Sequence, residues 1–507
     1  MRRSNCAGAL QYVPELTWVL FLRILDEREA REAEEAEAVG ASYTPSLTAP
    51  YRWCDWAAPY DDSLFTAGEE HPQQGWKRKE LQDGALGAFF SFVNDQLIPH
   101  LKQLRDQPNA TSRQKVISEI MSGVERTRID TERNFLDILD KVHEIKDETI
   151  DTTHIFPLSQ VYEGLLLKMG EKGNDGGQFF TPRELIRIMV EAIDPQIGQT
   201  VYDPACGTGG FLAQAFEHMA GPNNANITSP DQLETLKHRT FYGREKDNVI
   251  YPIALSNLVL HQVDEPHLWH GNTLTGAETY GGLFTNAPSL YDIVLTNPPF
   301  GGKEGKEAQT RFAYKTGATQ ILFLQHVIDS LKSGGKCGVV LDEGVLFRTN
   351  ETAFVQTKRK LLDDCNVWCI LSLPSGTFVN AGAGVKTNMV FFTKGQTTEK
   401  IWYYDLSDIK VGKKSPLTRN HFDEFFRLLP TRAGSDHSWT VTRQEIEAKS
   451  YDLKAVNPHA KNDEDTRTPE ELLDAIEAKG REVAEALAVL RAKPPSRVVG
   501  TVLPGRH

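Results

Sequence analysis

Two short stretches of the chain carry residue types that could do chemistry. The first is Asp203-Pro204-Ala205-Cys206-Gly207-Thr208-Gly209-Gly210-Phe211, preceded by the apolar strand end Val201-Tyr202 and continued by Leu212, Ala213, Ala215 and Phe216 at helical spacing. Glycines let the backbone approach a ligand closely, and a helix starting just after them offers free N–H groups to it. Alone, such a turn also reads as a tight connection in an α/β domain. The second stretch, Tyr291-Asp292-Ile293-Val294-Leu295-Thr296-Asn297-Pro298-Pro299-Phe300, is an apolar strand that ends on a polar residue. Its two prolines forbid further ladder pairing. In a parallel α/β sheet the two strand ends would open on one crevice, the usual ligand site.

The elements that must position these stretches follow from periodicity. Strand candidates recur between helices at residues 200–202, 240–243, 293–295, 336–341, 367–373 and 387–392. Strands alternating with helices predict an α/β fold, a doubly wound, mostly parallel Rossmann-like sheet, with the last two strands as an antiparallel pair. Ahead of the glycine turn, Thr181-Pro182-Arg183-Glu184 predicts a helix start with Thr181 as N-cap, running to about residue 193. Residues 221–229, rich in asparagine, read as a loop insertion. Before this region, Leu10, Val13, Leu16, Leu20 and Ile24 recur every three or four residues and are followed by a charged, alanine-rich run that reads as a solvated helical face. The expected organisation is a helical N-terminal domain at 1–150, the α/β domain at 151–425 and a helical C-terminal region at 426–507. In that last region Leu472, Leu473, Ile476, Val483, Leu487 and Leu490 form a stripe that could pack on the chain itself or dock on a partner helix.

Composition narrows the function. With 69 acidic against 56 basic residues and a formal charge of −13, the chain does not hold nucleic acid by bulk electrostatics, so any such contact is local or shared. Six cysteines show no paired C-x-x-C spacing, and Cys365 with Cys369 cannot complete a zinc site, which points to reduced thiols and no metal. The early apolar run from Trp18 to Leu22 is far short of the roughly 20 residues a bilayer span needs. A cytoplasmic protein with no membrane partner is expected. Met1 stands close to the first helix, which leaves an upstream start open.

At Asp203 to Phe211 followed by Asn297 to Phe300, the chain resembles the S-adenosylmethionine-dependent amino-methyltransferases of DNA. Gly177-Gln178-Phe179-Phe180-Thr181-Pro182 looks like the companion cofactor motif of the modification subunits of type I restriction-modification systems, and the resemblance runs over roughly residues 10 to 490. It implies S-adenosyl-L-methionine as cofactor and transfer of its methyl group to the N6 amino group of an adenine. Asp203 and the turn Ala205, Cys206, Gly207, Thr208 and Gly209 would lie along the amino-acid and sulfonium end, with Gln178, Phe179, Thr181 and Pro182 on the same end. Glu245, at the end of the next strand, could accept both ribose hydroxyls. Asn272 would take the adenine edge or serve as a turn residue after Gly271. Asn297 and Pro298, stiffened by Pro299, would hold the target amine, and Phe300 would stack on a base flipped out of the duplex.

The resemblance also implies partners: double-stranded DNA, a separate specificity subunit, a second copy of this chain and, in some systems, a restriction (nuclease/translocase) subunit. Neither end of the chain offers a basic reading element, so sequence recognition is expected from the specificity subunit. A stand-alone DNA adenine methyltransferase stays open as an alternative. So do an amino-methyltransferase acting on RNA or protein glutamine, whose substrates pose the same problem to Asn-Pro-Pro-aromatic, and a cofactor-binding subunit without turnover.

Overall fold

The computed structural model describes residues 9–61, 74–144, 181–378, 386–412, 415–454, 456–459 and 468–492. The chain divides into two compact units, residues 1–457 and 458–507. The first is built on one ten-stranded sheet: β1 (Val201–Asp203), β2 (Phe241–Glu245), β3 (His267–Asn272), β4 (Ala277–Tyr280), β5 (Tyr291–Thr296), β6 (Leu331–Asp342), β7 (Cys365–Ser372), β8 (Thr387–Lys394), β9 (Lys400–Asp405) and β10 (Ser438–Thr442). The order across the sheet is β10-β9-β7-β8-β6-β5-β1-β2-β3-β4. Strands β3, β2, β1, β5 and β6 run parallel to one another, whereas β8 is antiparallel to both β6 and β7. The predicted α/β class and the predicted antiparallel pair are both present.

This order explains where the site must be. From β1 the chain moves outward to β2 and β3, and from β5 it moves the other way to β6, so the winding reverses between the neighbours β1 and β5. A crevice opens at their C-terminal ends. The central strands are buried on both faces and are correspondingly apolar, as in Ile293, Val294 and Leu295 of β5 and Val339, Val340 and Leu341 of β6.

Helices α1 (Ala9–Ala38), α2 (Ser112–Ile120) and α3 (Glu132–His143) belong to the N-terminal region. Helices α4 (Arg183–Ile193), α5 (Gly210–Ala220), α6 (Ile250–Leu260), α7 (Thr319–Ser330) and α8 (Thr352–Asp364) belong to the sheet region. Buried residues of both regions join one hydrophobic cluster, which holds Phe21 and Leu25 of α1 together with Leu255 and Leu258 of α6. Charge ties them as well: Arg28 and Arg113 both pair with Asp264, at 2.5 and 2.9 Å, and both also reach Glu32. The Tyr451–Leu453 segment packs on the sheet region, since Leu453 is buried, its N–H donates to the Leu346 carbonyl and its own carbonyl accepts from the Tyr403 hydroxyl.

The second unit contains α9 (Pro469–Ala492), whose Leu473, Ile476, Val483 and Leu487 are exposed. Among the described residues, no helix is long and apolar enough to cross a membrane.

Candidate active site

The glycine turn after β1 is held from several elements. Gly207 and Gly209 take φ of 54° and 78°, the left-handed region open to residues without a side chain, and reverse the chain into α5. The Cys206 N–H donates to the Arg244 carbonyl of β2. Asn257 of α6 donates to the Thr208 carbonyl at 2.9 Å, and Thr273 donates to the Pro204 carbonyl at 2.7 Å. These contacts clamp the backbone of the turn. The crevice is a cavity of about 550 Å³ lined by Asp203, Ala205, Cys206, Gly207, Thr208, Glu245, Asn272, Asn297, Pro299 and Phe300, with Thr181 at its edge. Two stretches far apart in sequence therefore meet on one cavity. Gln178 and Phe179 lie outside the described residues.

The charged lining of the cavity includes Arg244, Lys246, Asp247 and Glu304 together with two buried carboxyl groups. Asp203 is buried at the end of β1, and its Oδ1 accepts from the Ala205 N–H at 3.0 Å while Oδ2 carries no well-formed hydrogen bond. Burial pushes its pKa up to about 7, against the Thr296 hydroxyl and the Ala205 N–H, and the charge of Glu245 adds to the rise. Burial likewise pushes Glu245 up to about 7, opposed by three backbone N–H groups. Those donors are Gly207 on Oε2 and Lys246 and Asp247 on Oε1, at 2.7 to 2.9 Å. A carboxylate offers about four acceptor positions, so the freer one is on Oε2. Two buried carboxyls whose ionised forms are held back by burial favour a cationic ligand.

Asn297 sits at the end of β5. Its Nδ2 donates to the Thr181 hydroxyl at 3.0 Å, and its Oδ1 is buried without a partner. Thr181 therefore does not cap α4 as its position suggested. Pro182 occupies the N-cap position instead, with its carbonyl accepting from the Leu185 and Ile186 N–H groups. The threonine hydroxyl is spent on the asparagine, which fixes the amide of a residue that lines the cavity. Asn272 takes the turn role: its Oδ1 accepts from the Leu274 and Thr275 N–H groups at 3.0 and 3.3 Å. That oxygen is committed to the backbone, although the residue still lines the cavity. Phe300 is half-buried and meets Phe378 edge to face, with ring centroids 5.1 Å apart.

Sequence reasoning missed Gln320. Pro298 and Pro299 have no N–H to anchor their loop, and the Pro298 carbonyl is held instead by Gln320 Nε2 at 3.3 Å. The Gln320 Oε1 in turn accepts from the Asp342 N–H at 3.0 Å, and the side chain is buried between the ends of β5 and β6. Local pattern gave no signal, because Gln320 lies on α7 with nothing to distinguish it from a surface glutamine. Gln320→Leu leaves both the carbonyl and the Asp342 N–H without that partner, a loss of about 1–3 kcal/mol. Turnover at the cavity is expected to fall by about tenfold, with the affinity of a small ligand for the glycine-turn side within about twofold of wild type, measured by single-turnover kinetics and calorimetry.

Comparison with known proteins agrees with this geometry. The N-6 DNA Methylase family model matches residues 153–467. The methylase subunit of the type I restriction enzyme EcoEI from Escherichia coli is 31% identical over 502 residues, spanning 96% of this chain and 93% of that one. The StySJI methylase subunit from Salmonella typhimurium is 32% identical over 479 residues, 90% of this chain and 80% of its own. A solved chain from a study of type I restriction-modification complex assembly superposes with a TM-score of 0.71 at 34% identity, covering 97% of this chain and 95% of that one. A cavity flanked by a glycine turn and an Asn-Pro-Pro-Phe strand end, in a chain matching these relatives over nearly its whole length, places it in the N-6 DNA methylase family as a type I modification subunit, an adenine-specific DNA methyltransferase.

Proposed function

We propose that the cavity holds S-adenosylmethionine between the β1 turn and Glu245, and that a flipped adenine enters beside Asn297. The observation that carries this reading is that Asn297, whose Oδ1 has no hydrogen-bond partner, lines the same cavity as Asp203. The residues present suit the cofactor: Asp203 lines the cavity as a buried carboxyl whose Oδ2 has no partner, a match for the cationic amino-acid end, and Glu245 Oε2 can take a ribose hydroxyl. When bound, the cofactor supplies a methyl group activated by the adjacent sulfonium.

The chain's own residues do the rest. Asn297 Oδ1 and the second lone pair of the Pro298 carbonyl accept the two hydrogens of the exocyclic amine, drawing its nitrogen away from conjugation with the ring. No group has to remove a proton before attack. Phe300, backed by Phe378, stacks on the extruded base. Thr181 and Gln320 keep the two acceptors aimed, since neither proline can.

Recognition of the DNA sequence falls to a specificity subunit, with the exposed apolar side chains of α9 as the docking surface. Two copies of this chain embrace the DNA around it, and a restriction subunit can join the same assembly. The test compares the purified chain alone with the chain co-expressed with its specificity subunit. The chain alone should bind cofactor yet show neither site-specific DNA affinity nor appreciable methylation, and the pair should regain both. Robust methylation of one defined site by the chain alone would overturn this division of labour.

A further inference from the structure

Directly after Phe300 the chain turns through Gly301 and Gly302, with φ of 71° and 90°, and leaves the sheet. It returns at Thr319, the first residue of α7. The excursion is closed at its base by a bridge between Lys303 and Ala318 and by the Glu304 N–H donating to the Gly317 carbonyl at 2.8 Å. Both of its ends line the cavity, through Gly301, Gly302 and Glu304 on one side and Thr319 on the other. The loop is therefore part of the cavity rim.

It is also a built element. Ala308 is buried in a small apolar cluster with Leu274, Leu322 and Phe323, against which Phe312 and Ala205 of the glycine turn also pack. Gln325, buried on α7, holds the Tyr314 backbone twice, accepting from its N–H at 2.9 Å and donating to its carbonyl at 3.0 Å. What this scaffold presents outward is positive. Residues 301–318 carry Lys303, Lys306, Arg311 and Lys315 against Glu304 and Glu307, in a chain of net charge −13. All four cations are exposed. Arg311 donates weakly to the Leu274 carbonyl, and Glu304 accepts from the Thr319 hydroxyl at 3.0 Å. Lys303, Lys306 and Lys315 take part in no ion pair among the described residues, so their charge is not neutralised within the loop.

We propose that this loop is a phosphate clamp, with Lys303, Lys306 and Lys315 contacting the backbone of the DNA strand that delivers the target base to the cavity. It rests on the reading that the cavity acts on a base in DNA, and it names where that acidic chain makes its local electrostatic contact. Lysines on a pinned loop at the rim would hold the phosphates flanking the extruded nucleotide, positioning the strand without reading its sequence. Each phosphate neutralised releases a counterion, so the contacts have a signature in the salt dependence of binding.

The test uses the assembled methyltransferase complex and a fluorescent duplex carrying its mapped target, titrated by anisotropy over a series of salt concentrations. Changing Lys303, Lys306 and Lys315 together to glutamine should reduce the slope of log Kd against log salt by about 0.9 for each phosphate no longer neutralised. Cofactor affinity and target preference should stay at wild-type values. Changing the same three to arginine should restore the slope. An unchanged slope in the glutamine variant would overturn the proposal. An equal drop in the glutamine and arginine variants would also overturn it, showing that the loop acts by shape. A wild-type complex without DNA affinity would remove the parent reading and this one with it, and that result appears before any variant is made.

Discussion

Asn297→Ala is expected to abolish methyl transfer almost completely while leaving cofactor binding intact. In the proposed arrangement the Asn297 Oδ1 is one of two acceptors for the substrate amine, and no described residue hydrogen-bonds to it. Removing one preorganised polar partner from the reacting group of an enzyme costs on the order of 10²–10³ in kcat. The amide does not form a wall for the sulfonium end in the proposed arrangement, so the cofactor Kd should stay within about twofold. The alanine also leaves the Thr181 hydroxyl without its partner. Thr181→Val is therefore the useful companion: it keeps the asparagine but frees its amide, and a smaller loss in kcat is expected. Rapid-quench single-turnover transfer separates these effects from DNA binding. Near-normal turnover by Asn297→Ala would remove the residue from the mechanism.

The second large effect is a pH dependence of cofactor binding. Asp203 and Glu245 are each pushed up to about 7 by burial. Near pH 6 the carboxyls are therefore largely protonated and neutral. A cationic ligand favours the ionised form, so binding releases protons and must strengthen as pH rises toward the raised pKa. Between pH 5.5 and pH 7, one such group predicts that the cofactor Kd falls by about tenfold, and the pair predicts a steeper fall. Asp203→Asn removes one of the two titrations and the negative charge with it. That variant should bind weakly at pH 7 and show a flatter profile below it. Calorimetry in two buffers of different ionisation enthalpy would register the released protons directly. A wild-type Kd that is flat across this range would contradict the assignment of Asp203 to the cationic end.

Much of this site was legible because its chemistry is written in local pattern. A glycine turn between a strand and a helix, and an apolar strand stopped by Asn-Pro-Pro, announce themselves without tertiary information. The central strands were legible for the same reason, as apolar runs between helices. Strands β3 and β4 were not, because HLWHGN and AETY mix polar and charged residues. Strands β9 and β10 are rich in strand-favouring residues but lie beyond residue 392, where the strand candidates stop, so β10 joins the sheet from a region expected to be helical. The place of Thr181 before proline points to a cap, whereas the fold gives its hydroxyl a better use on a strand end more than a hundred residues away. Asn272 was ambiguous, and the backbone N–H groups two and three residues on took its oxygen. Gln320 could not be seen at all, since its role exists only where α7 passes between the ends of β5 and β6.

The reaction itself is tested most directly by the identity of its product. The assembled complex is incubated with its target duplex and isotopically labelled S-adenosylmethionine, and the DNA is digested to nucleosides for mass spectrometry. The account predicts label in N6-methyladenine, absent when Asn297→Ala replaces the wild-type chain. Label found only in a methylated cytosine, or in no nucleoside while the complex binds both cofactor and DNA, would contradict it.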